Sequence, residues 1–225
     1  MSYNLGHTGV NMNIYQLRNL AGREEIDYSF LTAALKDYAK PRQKISLWIK
    51  TGGLIRVKKG LYIFGREVAQ RPYSKELLAN LIYGPSAISL SYALAHYGLI
   101  PERVETVTSI TNNRNKQQQT PTGLFTYRYL SGVRYQVGIQ LVPLDNTQSY
   151  LMAIPEKALC DYIYFTSASV KISTLQDMEA FLFEDLRIDE TIMAELSLTA
   201  IKEIASTYKS DGVDLFRQYL TTVRI

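Results

Sequence analysis

The residues of this chain that could most readily do chemistry are the lysines and arginines between positions 36 and 66. Nine basic side chains stand in this stretch against a single acid, Asp37: Lys36, Lys40, Arg42, Lys44, Lys50, Arg56, Lys58, Lys59 and Arg66. Such side chains neutralise phosphate groups, and arginine also reads guanine edges through paired hydrogen bonds. The pattern therefore predicts an interaction with nucleic acid.

Two predicted elements position these charges. Residues 41–51 begin with a proline, place apolar side chains at helical spacing and end before Gly52, which is typical of a short helix. Residues 54–64 alternate apolar and basic side chains around the turn residues 58–60, which is typical of a hairpin. A basic helix followed at once by a basic hairpin is the layout of a winged helix-turn-helix.

The outward residues of these two elements are the predicted DNA contacts: Arg42, Gln43, Lys44, Ser46, Lys50, Arg56, Lys58 and Lys59. Side chains at the start of the helix are of the types that reach base edges in the major groove. Those on the hairpin would meet phosphate or the minor groove. Two alternatives remain open, namely an ordinary amphipathic helix with a charged outer face and a hairpin whose lysines only protect a sheet edge.

The charge distribution favours two domains of different character. Residues 1–72 hold 12 basic and 5 acidic side chains, a net charge of +7, whereas residues 73–225 hold 13 and 16, a net charge of −3. Residues 145–225 alone have a net charge of −6, so we do not expect them to lie against phosphates. The predicted fold class is α+β, with a winged helix-turn-helix over 12–66 and a larger mixed α/β domain over 73–225.

The periodicity of the second half predicts a mixed or antiparallel sheet with helices before and after it. Helices are predicted over 74–83 and 86–97, and amphipathic helices follow from residue 155 to the end. Alternation predicts four strands, over 104–110, 124–130, 135–142 and 150–154. The polar run 111–123 is predicted to be a mobile hairpin loop, and the polar residues 1–12 are predicted to be loose.

Sequence signatures of enzymes are absent. The chain has no glycine-rich phosphate loop, no metal-spaced cluster of His and Cys, and no Gly-x-Ser-x-Gly elbow. We therefore expect no catalytic residue, no metal and no cofactor. No run is long enough to span a bilayer and no signal-peptide pattern opens the chain, so we expect a cytoplasmic protein without a membrane partner.

Several motifs resemble the AbiEi-type antitoxin family. They are the run Pro-Ser-Ala-Ile-Ser-Leu-Ser-Tyr-Ala-Leu-Ala-His-Tyr-Gly-Leu-Ile-Pro over 85–101, Val-Thr-Ser-Ile-Thr over 107–111, Gly-Leu-Phe-Thr-Tyr over 123–127, and Pro-Glu-Lys-Ala-Leu-Cys-Asp-Tyr-Ile-Tyr over 155–164. The last run is similar to the Pro-Glu-Lys-Ala-Leu-x-Asp element of that family. In order and spacing the resemblance covers roughly residues 14–164.

The resemblance implies a DNA-binding transcriptional autorepressor that is also the antitoxin of a type IV toxin–antitoxin system, in abortive infection or viral defence. It implies an N-terminal winged helix on inverted repeats of double-stranded promoter DNA, occupied by a dimer or by two monomers. The toxin would be nucleotidyltransferase-like and counteracted without a stable complex. One alternative is a winged-helix transcription factor whose C-terminal domain senses a partner or ligand. Another is an interaction module whose basic face binds an acidic partner or RNA.

The Pro-Glu-Lys-Ala-Leu element also raises a catalytic interpretation, in which Glu156 and Lys157 act as a pair. We favour a structural one. Pro155 and Glu156 suit the first turn of a helix, where a carboxylate complements the helix dipole. Lys157 is then expected to be solvated.

Overall fold

The computed structural model describes residues 12–223. The prediction for residues 1–12 therefore lies outside the described residues except at Met12. The chain divides into two compact units, one comprising the residues up to 74 with 120–122, and the other 75–119 with the residues from 123 onward. Both units contain helix and strand, so the coarse prediction of a mixed α and β protein is confirmed.

From residue 12 onward, the smaller unit contains three helices and three strands. In chain order they are α1 (Ile14–Ala21), β1 (Glu25–Asp27), α2 (Tyr28–Ala34), α3 (Pro41–Lys50), β2 (Leu54–Lys58) and β3 (Leu61–Phe64). The sheet order is β1-β3-β2, and both pairings are antiparallel. The hairpin and α3 lie where the sequence predicted them, whereas β1 was not predicted.

Local capping signals define the ends of these helices. The Asn13 side chain accepts a hydrogen bond from the backbone N–H of Gln16, and the Gln16 side chain accepts one from the backbone N–H of Asn13. Gly22 ends α1 in the left-handed conformation, with φ of 64°. Asp27 caps α2 through the backbone N–H of Phe30 at 2.7 Å. The helices close over a core of buried side chains: Leu17, Ile26, Leu31, Leu35, Ile45, Trp48, Leu54 and Phe64.

A buried ion pair fastens the segment after the hairpin to this core. The Arg18 guanidinium donates to the Glu24 carboxylate through Nη2 at 2.5 Å and Nε at 3.1 Å. The same carboxylate accepts from the backbone N–H groups of Gln70 at 3.1 Å and Arg71 at 3.0 Å. Neighbouring Glu25 accepts from the backbone N–H of Ser74 at 2.8 Å. These bonds satisfy charges that would otherwise be costly to bury.

We expect Glu24→Gln to lower the free energy of unfolding by about 2 kcal/mol, because the neutral amide leaves the Arg18 cation without its counter-charge. Chemical denaturation of the purified chain measures this change. Glu67→Gln is the matched control, since Glu67 is exposed and its change should cost less than about 0.5 kcal/mol. Equal stability of the two variants would contradict the expectation.

The larger unit is built on a mixed six-stranded sheet. Its strands are β4 (Ser86–Ile88), β5 (Val107–Thr111), β6 (Lys116–Thr120), β7 (Gly123–Tyr129), β8 (Ile139–Pro143) and β9 (Ser149–Ala153). The sheet order is β6-β7-β5-β4-β9-β8. The pairs β4–β5 and β8–β9 are antiparallel, whereas β4–β9 and β5–β7 are parallel.

Helices flank this sheet and follow it in the chain. They are α4 (Lys75–Ile82), α5 (Leu90–His96), α6 (Gly132–Gln136), α7 (Pro155–Thr166), α8 (Leu175–Ala180) continued by a π-helical turn over Phe181–Asp185, α9 (Glu190–Glu195), α10 (Leu198–Tyr208) and α11 (Asp211–Val223). Helix α7 packs against α5, α10 and α11, so it lies at the centre of the helical layer.

Three predictions for this unit are wrong. Residues 86–97 form β4 followed by α5 rather than one helix, because β4 pairs with β5 and β9. The supposed loop 111–123 contains β6, whose polar side chains suit an edge strand beside β7. The start of the supposed strand 135–142 belongs to α6, and the strand itself begins at Ile139.

The prediction that Lys157 of the Pro-Glu-Lys-Ala-Leu element is solvated is wrong. The Lys157 side chain has no exposed surface. The Lys157 Nζ donates to Asp161 Oδ1 at 2.6 Å, to the backbone oxygen of Arg134 at 2.7 Å and to the hydroxyl of Tyr208. Asp161 also accepts from the hydroxyls of Tyr208 and, at 2.6 Å, of Ser89. The element therefore joins α7 to α10 and to the residue before α5.

Glu156 extends the same connection. Its Oε1 accepts from the backbone N–H of Ser197 at 2.7 Å, and Ser197 caps α10. Lys157 and Asp161 have no exposed surface, and their polar atoms are bonded within the larger unit. The geometry thus supports the structural interpretation of this motif through burial rather than through solvation.

The larger unit is expected to lose stability above about pH 10. Burial raises the pKa of the Tyr127 hydroxyl, and burial together with the charge of Asp161 raises the pKa of Tyr208. The unfolded chain releases these protons near pH 10, so stability is present below that pH and is lost as the pH rises through it. Burial lowers the pKa of Lys157, so this one group contributes a change of stability with pH of the opposite sign. The two tyrosines, Tyr127 and Tyr208, are expected to determine the net change.

Parallel recording of tyrosinate absorbance and circular dichroism tests this pH dependence. We expect part of the tyrosine absorbance change to coincide with unfolding. Complete tyrosine ionisation with intact circular dichroism would contradict it.

Candidate nucleic-acid interface

The outward face of α3 carries four of the eight predicted contact residues. Arg42, Gln43, Ser46 and Lys50 are all exposed. Their positions in a helix of 3.6 residues per turn place them on one side, opposite the buried Ile45 and Trp48. This side can enter a groove without disturbing the core.

Leu47 belongs to the same face but was not predicted as a contact. It is 51% exposed, between Ser46 and the buried Trp48. The sequence prediction did not include it because only polar and basic residues of this helix were taken as outward. Its position four residues after Gln43 was the available signal, and a leucine there can contact the methyl group of thymine.

Two hydrogen bonds through Tyr28 link Arg42 to the turn of the hairpin. The Arg42 Nε donates to the hydroxyl of Tyr28 at 3.3 Å. The backbone N–H of Tyr28 in turn donates to the carbonyl oxygen of Gly60, in the hairpin turn, at 2.9 Å. Tyr28, at the start of α2, therefore contacts both the start of α3 and the turn of the hairpin.

Lys44 differs from its predicted outward role. Its side chain is half-buried, and Nζ lies 5.7 Å from the ring centroid of Tyr38 and 5.4 Å from that of Trp48. Cation–π attraction of this kind directs the ammonium along the protein surface. Lys44 is thus a contact of aromatic rings at the edge of the exposed face of α3.

The hairpin presents Arg56 and Lys59 to solvent, while Lys58 is half-buried. The register shifts between Arg56 and Lys58, which marks a β-bulge at Val57. The predicted alternation of apolar and basic side chains along this strand is therefore interrupted at Val57. Leu54 and Val57 are buried and Ile55 is half-buried.

The charge within α3 and the hairpin themselves is uniform in sign. Residues 38–66 contain no Asp or Glu, and the structure places α3 and the hairpin within that stretch. Lys40, the N-cap residue of α3, forms no side-chain capping bond, and the first turn of the helix contains no acid. Pro41 has no backbone N–H, and the N–H of Gln43 donates to the carbonyl oxygen of Lys40 at 3.1 Å.

Within the described residues, no three or more Asp, Glu, His or Cys side chains form a cluster that could hold a metal ion. Within the same residues, every helix is too short or too polar to cross a membrane.

Comparison with known proteins gave one kind of match. No family model and no curated protein matches the chain. Among solved structures, it is similar to the RV2827C protein from Mycobacterium tuberculosis, with 14% sequence identity, a TM-score of 0.49, and coverage of 89% of this chain and 78% of that one. A likeness this distant informs neither family nor function.

Proposed function

We propose that the smaller unit is a winged helix that binds duplex DNA sequence-specifically and that the chain represses its own promoter. The observation that carries the proposal is the set of exposed basic side chains on α3 and the hairpin, in a segment, residues 38–66, that contains no Asp or Glu. The element order helix–strand–helix–helix–strand–strand and the sheet order β1-β3-β2 support it, because they put α3 directly before the hairpin.

In this proposal α3 lies in the major groove with its N-terminal end toward the bases. Arg42 reads a guanine edge and Gln43 an adenine edge, each through two hydrogen bonds. Leu47 contacts a thymine methyl, and Lys50 pairs with a phosphate. Arg56 and Lys59 on the hairpin contact the backbone or the minor groove, and two copies of the chain occupy an inverted repeat.

We further propose that the larger unit neutralises a nucleotidyltransferase-like toxin without forming a stable complex. The resemblance of residues 85–101 and 155–164 to AbiEi-type antitoxins supports this part, and the structure contributes only the buried role of the second motif. Co-expression with the toxin encoded beside this gene tests it. Restored growth is expected, whereas unchanged toxicity would favour the alternative of a regulator that senses a partner or ligand.

The DNA proposal is tested by binding of the purified chain to its own upstream DNA and to a scrambled duplex over a salt series. We expect nanomolar-range binding to the upstream DNA only, with affinity that falls as salt rises. Equal and weak binding to both duplexes would reduce the α3 face to a non-specific basic surface and overturn the proposal.

Lys59→Ala is expected to weaken binding to both duplexes alike and to reduce the salt slope by about 0.9, because one phosphate contact is lost. Lys202→Ala is the matched control, since Lys202 is an exposed lysine on α10 of the larger unit. An unchanged salt slope in Lys59→Ala would show that the hairpin tip does not touch phosphate.

A further inference from the structure

The larger unit carries a groove that the duplex-DNA proposal does not use. Three surface concavities of about 570, 630 and 550 Å³ follow one another, because neighbouring ones share lining residues. Asn115 lines the first and second, and Arg128 and Phe165 line the second and third. We call this surface the Arg128 groove. The strands β5 and β7, the polar run before β6 and the end of α7 form it.

The charged side chains that line the Arg128 groove are mostly basic. Arg114, Arg128 and Lys171 are exposed along it, and Asp211 is the one carboxylate among its lining residues within the described chain. Neither Arg114 nor Arg128 forms an ion pair with residues 12–223.

Lys116 adds little to this charge although it also lines the second concavity. Its Nζ lies 4.6 Å from the ring centroid of Tyr83, and Tyr83 packs edge-on against Tyr127. Tyr83 does not line the groove, so the Lys116 ammonium is held elsewhere. Arg128 is the central cation.

Aromatic side chains provide flat surfaces along the groove. The Arg128 guanidinium lies 4.6 Å from the ring centroid of Phe165, which forms a stacked cation–aromatic pair at the junction of two concavities. Tyr129 is 49% exposed in the first concavity. The side chain of Asn115 accepts from the backbone N–H of Tyr129 at 2.6 Å, which holds the amide-rich run 112–115 beside this ring.

The rest of the lining is rich in neutral hydrogen-bonding groups. Side-chain amides and hydroxyls border the groove, among them Ser91, Gln117, Thr166 and Ser169. Amides of this kind can bond the edges of unpaired bases, while hydroxyls suit phosphate or sugar oxygens.

From these features we propose that the Arg128 groove binds a segment of single-stranded nucleic acid. Cations spaced along a groove track a phosphate backbone, and the Tyr129 ring and the Arg128–Phe165 pair can each stack on a base. A duplex does not offer unstacked bases to such surfaces. An acidic peptide would satisfy the cations but would leave the aromatic and amide groups without a matching partner.

The experiment uses the full chain and fluorescein-labelled oligouridylate and oligothymidylate of about 12 nucleotides, with anisotropy as the readout. A background with Arg42→Glu and Lys50→Glu removes the α3 face, so that binding reports on the larger unit. Arg128→Ala and Tyr129→Ala are each expected to weaken binding about tenfold. Tyr129→Phe should restore it because the ring remains, and the ribose and deoxyribose oligonucleotides distinguish RNA from DNA.

Lys202→Ala controls for the loss of one exposed positive charge and should bind within about twofold of its background. If Arg128→Ala and Tyr129→Ala bind as Lys202→Ala does, while circular dichroism shows each variant folded, the proposal is overturned. Full displacement of the oligonucleotides by a polyglutamate peptide would overturn it in favour of an acidic protein partner. Duplex binding by these variants in the native background stays unchanged, so the outcome is separable from that of the winged-helix proposal.

Discussion

Lys157→Met is expected to lower the free energy of unfolding of this chain by about 3–5 kcal/mol. Lys157 and Asp161 have no exposed side-chain surface and lie 2.6 Å apart. Removal of the ammonium leaves the Asp161 carboxylate buried with only the hydroxyls of Tyr208 and Ser89 as donors. A buried charge without its partner is far more costly than the loss of the pair as a whole.

A double variant separates this cause from mere loss of packing. Lys157→Met combined with Asp161→Leu removes both charges and should recover most of the lost stability. Lys202→Met replaces an exposed lysine and should change stability by less than about 0.5 kcal/mol. Chemical denaturation measures all three, and a loss below about 1 kcal/mol for Lys157→Met would contradict the assigned role of the pair.

The second large effect is expected on DNA binding. The double substitution Arg42→Glu and Lys50→Glu should weaken binding to the upstream duplex by about 10²–10⁴-fold. Each lost contact of a charged side chain with a base or phosphate is worth roughly 1.5–3 kcal/mol, and the new carboxylates repel the DNA. Both residues are exposed and outside the core, so the fold should remain intact.

Lys202→Glu with Lys209→Glu is the matched control for this experiment. Both lysines are exposed in the larger unit, and the pair changes the net charge by the same amount. Long-range electrostatics alone would weaken DNA binding similarly in both double variants. A large loss confined to Arg42→Glu and Lys50→Glu would place the DNA on α3, whereas equal losses would contradict that placement.

The two proposed nucleic-acid surfaces rest on different chemistry. The α3 face combines base-reading side chains with phosphate contacts and has Leu47 as its exposed apolar residue. The Arg128 groove combines cations with aromatic rings that can stack on unpaired bases. Duplex and single-stranded ligands, tested on the same set of variants, therefore give independent outcomes for the two units.

Elements whose signals are local could be predicted from the sequence alone. Pro41 in the first turn, the apolar spacing around Trp48 and the stop near Gly52 are contained within about a dozen residues, and α3 spans Pro41–Lys50 accordingly. The turn of the hairpin was likewise predicted from Gly60, because the φ of 88° at this residue requires the conformational freedom of glycine. The outward residues of α3 follow from helix periodicity, so four of the predicted contacts are exposed together.

Features that depend on distant partners were decided only by the tertiary structure. Strands β1, β4 and β6 have weak local signals and form because β3, β5 and β7 offer backbone partners. The Val57 bulge and the aromatic contacts of Lys44 changed the roles expected from alternation and charge.

Lys157 is the clearest example of a residue whose burial depends on tertiary structure. From the sequence of its own helix it was predicted to be exposed to solvent. Helix α10 brings Tyr208 over it, 51 residues away in the sequence, and buries it against Asp161. The Arg128 groove has the same origin, because Arg128 and Phe165 meet only when β7 and α7 pack together. Sequence periodicity thus determined which side of an element faces outward. Burial, pairing and cavities were decided by tertiary packing, because they are properties of contacts between elements rather than of any one element.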